Sequence, residues 1–270
     1  MIKTENIYKI FNKGTADEVV SIRDTSIEIK KGEFVTVIGT NGSGKTTLLN
    51  LIAGAVIPDS GKIIINGKDV TRRRDFERAE VISRVFQNPF SGTAPDMTIA
   101  ENLLCAFNRG KRHLPLIKLN KKLIVFFKER LSHLEMKLED RIDSLIGSLS
   151  GGQRQAITLL MAVINEPQVL LLDEHTAALD PKSAGQIIKL TRRFIESPGL
   201  TVLMVTHSMN QALELGSRII MMHNGEIIDD ISGPLRQRLT TDDLLYKFAE
   251  VRKKEMLTDE LFRQFANEYV

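Results

Sequence analysis

Cysteine and long apolar runs are scarce in this chain, and each scarcity excludes a class of protein. The 270 residues include one cysteine, Cys105, which excludes an internal disulfide framework and a zinc site built from several cysteines. We expect Cys105 to be a small buried or half-buried apolar residue. No apolar run approaches the roughly 18 residues of a membrane-spanning helix. The first residues also lack the apolar core of a secretory signal.

A strong excess of one charge is also missing. The formal net charge is +3, which is too small to indicate a nucleic-acid-binding protein. Hydrophobic residues make up 42% of the chain, enough for a core in one domain or in one domain with a subdomain. The low cysteine content suits a reducing compartment.

The most informative segment is Gly39 to Thr47, G-T-N-G-S-G-K-T-T, which fits the phosphate-loop pattern G-x-x-x-x-G-K-[S/T]. Apolar residues 34–38 before it predict a buried strand, and residues 48–52 after it predict a helix. This order aims backbone N–H groups and a helix N-terminus at one point, which favours a bound polyanion. Lys45 offers a charge to the β- and γ-phosphates, and the Thr46 hydroxyl can ligate Mg²⁺. The predicted nucleotide-binding residues are Gly39, Asn41, Gly42, Ser43, Gly44, Lys45, Thr46 and Thr47.

A second segment is an apolar strand, residues 169–172, that ends in Asp173 and Glu174. Such a strand delivers its carboxylates to the C-terminal edge of a sheet, where nucleotide sites lie. Asp173 can hold Mg²⁺ through the water shell of the ion. Glu174 is then placed to accept a proton from the attacking water or to orient it. Taken alone, the two acids could equally be solvated residues after a core strand, but the phosphate loop favours the catalytic interpretation.

A third segment, residues 149–153, reads L-S-G-G-Q and is followed at once by a helical pattern. Free backbone N–H groups, a hydroxyl and a helix N-terminus together form a second anion-binding surface. The alternative is a flexible turn in which Ser150 caps the helix.

The remaining pattern places these segments in an α/β fold. The first 37 or so residues alternate as β structure, and helical spacing dominates from Thr98 to Leu145. After residue 150, strands alternate with helices, which indicates a mainly parallel sheet covered on both faces. Asn224-Gly225 between apolar runs predicts a type I′ hairpin. After Thr240, apolar residues among charges favour an amphipathic helix packed on the domain, with a regulatory or dimer contact as the alternative.

Taken together, these segments resemble the nucleotide-binding subunit of an ABC (ATP-binding cassette) transporter, whose signature sequence is L-S-G-G-Q. The resemblance covers roughly residues 2–230. It implies a phosphate-loop NTPase core with a mainly parallel sheet, an N-terminal antiparallel β subdomain and a helical signature subdomain. The implied domains are an ATPase domain at 1–230, with its helical subdomain at approximately 90–165, and a C-terminal helical tail at 231–270.

The resemblance also assigns roles to residues whose neighbouring sequence does not indicate a function. It implies that Gln87 contacts Mg²⁺ and the attacking water, and that His207 hydrogen-bonds the γ-phosphate of ATP. Phe11 matches an aromatic residue that stacks on adenine, and Tyr8 is a rival for that place. His175 departs from the serine or proline usual after the catalytic glutamate, so we expect it to have a structural or interface role.

The family pairs two subunits head to tail, which implies a second copy of this chain as partner. Lys45, Asp173 and Glu174 of one copy would then face the signature of the other across ATP, with Asp180 at the interface. The signature residues in question are Ser150, Gly151, Gly152 and Gln153. Further implied partners are integral-membrane permease subunits, docked near Gln87, and an extracytoplasmic solute-binding protein. The implied location is peripheral, at the cytoplasmic face of the cell membrane.

One cassette per chain resembles the separate ATPase subunits of prokaryotic importers. Residues 173–182 and 239–245 look like a subset that serves amino-acid-type solutes. We therefore expect a Mg²⁺-dependent ATPase that powers uptake of a small solute, with an amino acid as the candidate. The catalytic residues do not separate import from export, so an ABC exporter or a lipid/lipoprotein-extraction system remains the alternative. An ABC ATPase of translation or DNA repair usually carries two cassettes or a coiled-coil insertion, and a non-hydrolysing scaffold would lack part of the catalytic set.

Overall fold

An antiparallel sheet forms the N-terminal part of the protein. The computed structural model describes residues 1–110, 118–195, 199–251 and 253. The four strands of this sheet are β1 (Ile2–Phe11), β2 (Val19–Ile29), β4 (Ser60–Ile65) and β5 (Lys68–Asp69). They lie in the order β2-β1-β4-β5, and every neighbouring pair is antiparallel. The predicted antiparallel N-terminal β structure is confirmed.

A second, mainly parallel sheet forms the centre of the fold. Its strands are β3 (Phe34–Gly39), β6 (Ile82–Val85), β7 (Val169–Asp173), β8 (Thr201–Val205), β9 (Arg218–His223) and β10 (Glu226–Ile231). They lie in the order β10-β9-β3-β8-β7-β6; the pair β9–β10 is antiparallel, and the other neighbouring pairs of this sheet are parallel. Positive φ angles of 46° at Asn224 and 81° at Gly225 confirm the predicted type I′ turn between β9 and β10.

Helices cover both faces of the central sheet. They are α1 (Lys45–Ala53), α2 (Asp75–Arg78), α3 (Ile99–Asn108), α4 (Lys121–Ser132), α5 (Gly151–Val163), α6 (Pro181–Ile195), α7 (Met209–Leu215) and α8 (Gly233–Arg238). Successive strand residues point to opposite faces, so Leu171 packs with α1 while Leu172 packs with α3, α5 and α6. The α/β prediction with a sheet buried on both sides is therefore confirmed. Within the described ranges, each helix falls short of the length and apolarity that a bilayer crossing requires.

Residues 241–251 form a further helix that packs on α7 and the central sheet. Leu244 is fully buried in a cluster with Ile38, Ala212 and Ile219. The Thr241 hydroxyl donates a hydrogen bond of 3.0 Å to the Asn210 side chain. The predicted amphipathic packing is confirmed for these residues, while the apolar residues from 254 onwards lie outside the described part of the chain.

The expectation for Cys105 is wrong, because the side chain is exposed. Helix α3 buries Ile99, Ala100, Leu103 and Ala106, which recur at helical spacing along one face. Cys105 lies between two of these positions and therefore off the buried face. The exposure of Cys105 is decided by its position around the helix axis and not by the usual preference of cysteine for the interior.

Candidate active site

Four parallel strands bring the predicted motifs to one edge of the central sheet. Strand β3 leads into the loop 40–44, β8 into His207, β7 into Glu174 and β6 into Gln87. These strands are neighbours in the order β3-β8-β7-β6, so their C-terminal ends lie side by side. Segments that are far apart in sequence therefore meet at a single edge.

The loop 40–44 has the geometry of an anion cradle. A Cβ at Gly44 would lie 2.4 Å from the carbonyl oxygen of Ser21, which leaves no room for a side chain. Gly42 has a φ of +77°, and a Cβ there would meet nothing within 4 Å, so this position opens to solvent. The Ser43 hydroxyl is buried without a hydrogen-bond partner among the described residues. A buried donor of this kind calls for a ligand, and a phosphate oxygen fits it.

Lys45 lies at the start of α1, inside this loop. Its ammonium group donates to the carbonyl oxygens of Gly39 and Thr40, each at 2.9 Å. Burial lowers the pKa of Lys45, and the charges of Glu174 and Asp173 act in the opposite direction. The ammonium group is thus held beside the cradle by two backbone carbonyls, which phosphate oxygens can replace.

The predicted metal-binding residues lie beside this lysine. The Thr46 hydroxyl donates to Oδ1 of Asp173 at 3.2 Å. Gln87 is exposed just beyond β6 and lines a groove of about 560 Å³ together with Asp173. Hydroxyl, carboxylate and amide oxygens are hard ligands, and Mg²⁺ keeps several waters and needs few protein ligands. The residues present therefore fit Mg²⁺.

Glu174 and His207 form a close pair. Nε2 of His207 lies 2.5 Å from Oε1 of Glu174, and the side chains are 45% and 10% exposed, respectively. Glu174 adopts a left-handed backbone with φ of 45°, and its N–H donates to the carbonyl of Val205 at 3.0 Å. Strained backbone of this kind is concentrated at functional sites. The pair couples the end of β7 to the end of β8.

The signature segment starts helix α5. The Ser150 hydroxyl accepts from the N–H of Gln153, and the Gln153 side chain accepts from the N–H of Ser150, each at 3.3 Å. A Cβ at Gly152 would lie 2.7 Å from the Ser183 hydroxyl, so glycine permits the close approach of α5 and α6. Gly151 is exposed and lines the same groove as Asp173. The capping alternative is thus observed, and contact with ATP of a partner stays a prediction.

Phe11 and Asp180 make contacts with residues outside the groups described above. The Phe11 ring at the end of β1 is exposed, with the Lys9 ammonium 5.4 Å from its centroid. The Asp180 carboxylate accepts from the N–H groups of Lys182 at 3.1 Å and Ser183 at 3.0 Å. Hydrogen bonds from Ser183 lower the pKa of Asp180. Stacking of Phe11 on adenine and the interface role of Asp180 stay predictions.

His175 has the expected structural role. Its side chain is buried, and Nε2 lies 2.9 Å from the Thr191 hydroxyl on α6. Burial lowers the pKa of His175 to about 4.

Three side chains at the site were missed by sequence reasoning. Arg84 donates to Oδ2 of Asp173 at 2.6 Å. The Gln211 side chain accepts from Thr206, next to His207, and donates to Thr176 at 3.1 Å. Nδ1 of His223 lies 3.4 Å from the Thr40 hydroxyl. Only Arg84 gave a signal, since it is a lone cation in a short, otherwise uncharged strand.

Comparison with known proteins identifies related sequences. The sequence pattern of the ABC transporter family matches residues 22–177. A tyrosine transport ATP-binding protein of Clostridioides difficile is 41% identical over 252 residues, covering 92% of this chain and 98% of the relative. The energy-coupling factor transporter ATP-binding protein EcfA2 of Clostridium tetani is 34% identical, covering 85% and 78%.

A solved structure has a similar fold over most of this chain. The dimeric structure of a post-hydrolysis state of the ATP-binding cassette MJ0796, bound to ADP and Pi, has a TM-score of 0.74 and 30% identity. The similarity covers 86% of this chain and 98% of that one. With the phosphate loop, the acidic strand and the signature all in place, the chain belongs to the ABC transporter family, as one of its ATP-binding subunits.

Proposed function

We propose that this protein is the Mg²⁺-dependent ATPase subunit of an ABC importer. The observation that carries the proposal is the convergence of one cation, two carboxylates, a hydroxyl and an imidazole at the edge of the sheet. These groups belong to Lys45, Asp173, Glu174, Thr46 and His207. Such a set combines phosphate binding, metal binding and water activation within a single site.

The phosphates of ATP would lie against the loop 40–44. Backbone N–H groups, the Ser43 hydroxyl, which has no partner within the described ranges, and the Lys45 ammonium would bind their oxygens. Thr46 and Asp173, with Gln87 beside them, would hold Mg²⁺, which when bound neutralises charge that develops on the β- and γ-phosphates. Phosphoryl transfer needs little more from the protein than this positioning and electrostatic stabilisation.

Glu174 is the proposed base or orienting group for the attacking water. Its carboxylate is mostly buried yet lies at the edge where the phosphates would bind. His207 fixes one carboxylate oxygen at 2.5 Å, and its side chain is 45% exposed at the edge where the γ-phosphate would bind. The remaining carboxylate oxygen is then the one that accepts a proton from water or aligns it.

A second copy would complete the site from the other side. Ser150, Gly151 and Asp180 are exposed, as a head-to-tail interface requires, and the similar cassette MJ0796 is dimeric in its ADP- and Pi-bound structure. A ligand that contacts both copies stabilises the closed pair by as much as it prefers that state. Hydrolysis then reopens the pair, and permease subunits docked near Gln87 would follow this motion at the cytoplasmic face of the membrane.

Two variants test the chemistry. Glu174→Gln should reduce ATP hydrolysis by a factor of at least about 100 while retaining ATP binding and ATP-dependent dimers in light scattering. Lys45→Ala should weaken ADP and ATP binding in calorimetry. Glu129→Gln, an exposed change on α4, is the matched control and should behave as wild type. Wild-type turnover in Glu174→Gln would contradict the role of Glu174, and unchanged binding in Lys45→Ala would remove Lys45 from the site.

Amino-acid uptake, with an extracytoplasmic binding protein in the same system, is the finer part of the proposal. Its support is the 41% identity to a tyrosine transport ATP-binding protein over nearly the full length of both chains. Cells lacking this protein should accumulate less labelled tyrosine, and wild type but not Glu174→Gln should restore uptake. Greater accumulation in the deleted cells would instead favour export, and unchanged accumulation with loss of another solute would reassign the substrate.

A further inference from the structure

Arg84 occupies an unusual place for a cation. It lies in β6, a strand that otherwise contains two apolar residues and a serine, and its side chain is 13% exposed. One guanidinium nitrogen, Nη2, donates to Oδ2 of Asp173 at 2.6 Å. A second guanidinium nitrogen, Nη1, donates to Oδ1 of Asn50 on α1. The guanidinium also stacks on the Phe86 ring, 4.7 Å from its centroid. Arg84 therefore joins three elements that each carry a part of the site.

We propose that Arg84 is a positioning residue for the magnesium site. The inference rests on the proposed function, because it concerns the same Mg²⁺. Asp173 has two carboxylate oxygens, and Arg84 occupies Oδ2 while the Thr46 hydroxyl contacts Oδ1. The bond to Arg84 fixes the plane of the carboxylate, so that Oδ1 stays beside Thr46. These two oxygens are the pair that Mg²⁺ and its waters would meet.

Asp173 has a second cation within electrostatic reach, namely Lys45. The carboxylate is 7% exposed, so without Arg84 it would need another partner to offset its burial. Turning towards Lys45 would remove Oδ1 from Thr46. Arg84 thus keeps Asp173 in the place that the metal site requires.

Arg84 also exerts an opposite effect, because its positive charge repels a nearby divalent cation. Two features make positioning the larger effect. The guanidinium binds Oδ2 directly and leaves Oδ1 to the metal side. The loss of a group that orients a metal-binding carboxylate typically reduces metal affinity by about 10- to 100-fold. The net result of removing Arg84 is therefore weaker binding of the magnesium-nucleotide complex.

Calorimetry of ADP binding to the full chain, with and without Mg²⁺, tests this inference. In Arg84→Gln, the enhancement of ADP affinity by Mg²⁺ should fall roughly tenfold or more, whereas ADP affinity in EDTA should stay within about twofold of wild type. Asn50→Ala removes the second anchor of Arg84 and should shift the enhancement in the same direction by a smaller factor. If Asn50 acts through Arg84, the double variant should be no worse than Arg84→Gln alone.

Arg78→Gln is the matched control. Arg78 is also buried and also contacts α1, but it donates to the backbone carbonyls of Leu51 and Ile52 and not to a carboxylate of the site. The Arg78→Gln substitution should lower the free energy of unfolding and leave the enhancement of ADP affinity by Mg²⁺ unchanged. The inference is overturned if Mg²⁺ enhances the ADP affinity of Arg84→Gln as much as that of wild type, or more. If Arg84→Gln does not fold, the same measurement on Asn50→Ala decides the inference. If Mg²⁺ does not change the ADP affinity of the wild-type protein, the proposed magnesium site is wrong, and this inference is wrong with it.

Discussion

Protonation of His175 should destabilise this protein in mild acid. The imidazole is 2% exposed, and its Nε2 lies 2.9 Å from the Thr191 hydroxyl. The single hydroxyl proton of Thr191 is donated to the carbonyl of Ile187 at 2.8 Å, so Nε2 of His175 is the donor in the first contact. Nε2 therefore carries a proton in either form of the ring, and burial, which lowers the pKa of His175, favours the neutral form at neutral pH. A second proton, on Nδ1, would place a charge in this buried position.

The size of the effect follows from the two pKa values of His175. Burial lowers the pKa to about 4 in the folded protein, against a value of about 6.5 in the unfolded chain. Above pH 6.5 neither form binds the proton, so His175 adds no pH dependence. Between the two pKa values only the unfolded chain takes up the proton, so each fall of one pH unit lowers the free energy of unfolding by about 1.4 kcal/mol. The loss reaches about 2 kcal/mol at pH 5 and levels off near 3 kcal/mol below pH 4.

Urea unfolding of wild type and His175→Gln at several pH values measures this loss. The glutamine amide can still donate to Thr191 but does not titrate. Because the carboxylates titrate equally in both proteins, the stability of wild type relative to the variant should fall by about 2 kcal/mol between neutral pH and pH 5. His133→Gln, at an exposed histidine directly after α4, is the matched control. A difference between wild type and His175→Gln that is constant with pH would refute the reasoning.

Three further substitutions test packing around the site. Gly42→Ala should cost about 1 kcal/mol, because φ is +77°, and should weaken ADP binding in calorimetry; unimpaired binding would contradict an open phosphate cradle. Gly152→Ala should lower the urea midpoint, since its Cβ would lie 2.7 Å from the Ser183 hydroxyl, and Ser183→Gly should restore it; failure of this rescue would exclude that clash. Leu244→Ala should cost about 2–5 kcal/mol if the helix 241–251 unfolds with the domain, and an unchanged midpoint would show that it detaches independently.

Much of the site could be predicted because its motifs are continuous in sequence. The phosphate loop 39–47 and the acidic strand 169–174 each combine an apolar strand with the residues that follow it. Since the ends of parallel strands share one edge, the pattern alone indicated that Lys45, Asp173 and Glu174 would lie together. The turn at Asn224-Gly225 was equally local, because its two positive φ angles depend only on those residues.

Contacts between distant residues could not be predicted in this way. Arg84 and Asp173 are 89 positions apart, and their ion pair depends on the adjacency of β6 and β7. Gln211 bonds Thr176 across 35 positions, and no periodicity marks it as different from a surface glutamine. At Ser150 the sequence left a choice between a helix cap and a phosphate ligand. Within the described residues, the Ser150 hydroxyl accepts a hydrogen bond from the N–H of Gln153, as a helix cap does. These are tertiary outcomes, which local propensity does not encode.

The residues that sequence analysis missed or gave no chemical role hold Glu174 in place. A left-handed backbone at a non-glycine residue such as Glu174 costs about 1–2 kcal/mol, so it persists only where the surroundings fix it. On one side, Arg84 anchors Asp173. On the other, His175 is anchored through its ring and through its carbonyl, which accepts a hydrogen bond of 2.7 Å from Gln155. The strain at Glu174 is thus offset by buried polar contacts on both of its neighbours in sequence, Asp173 and His175.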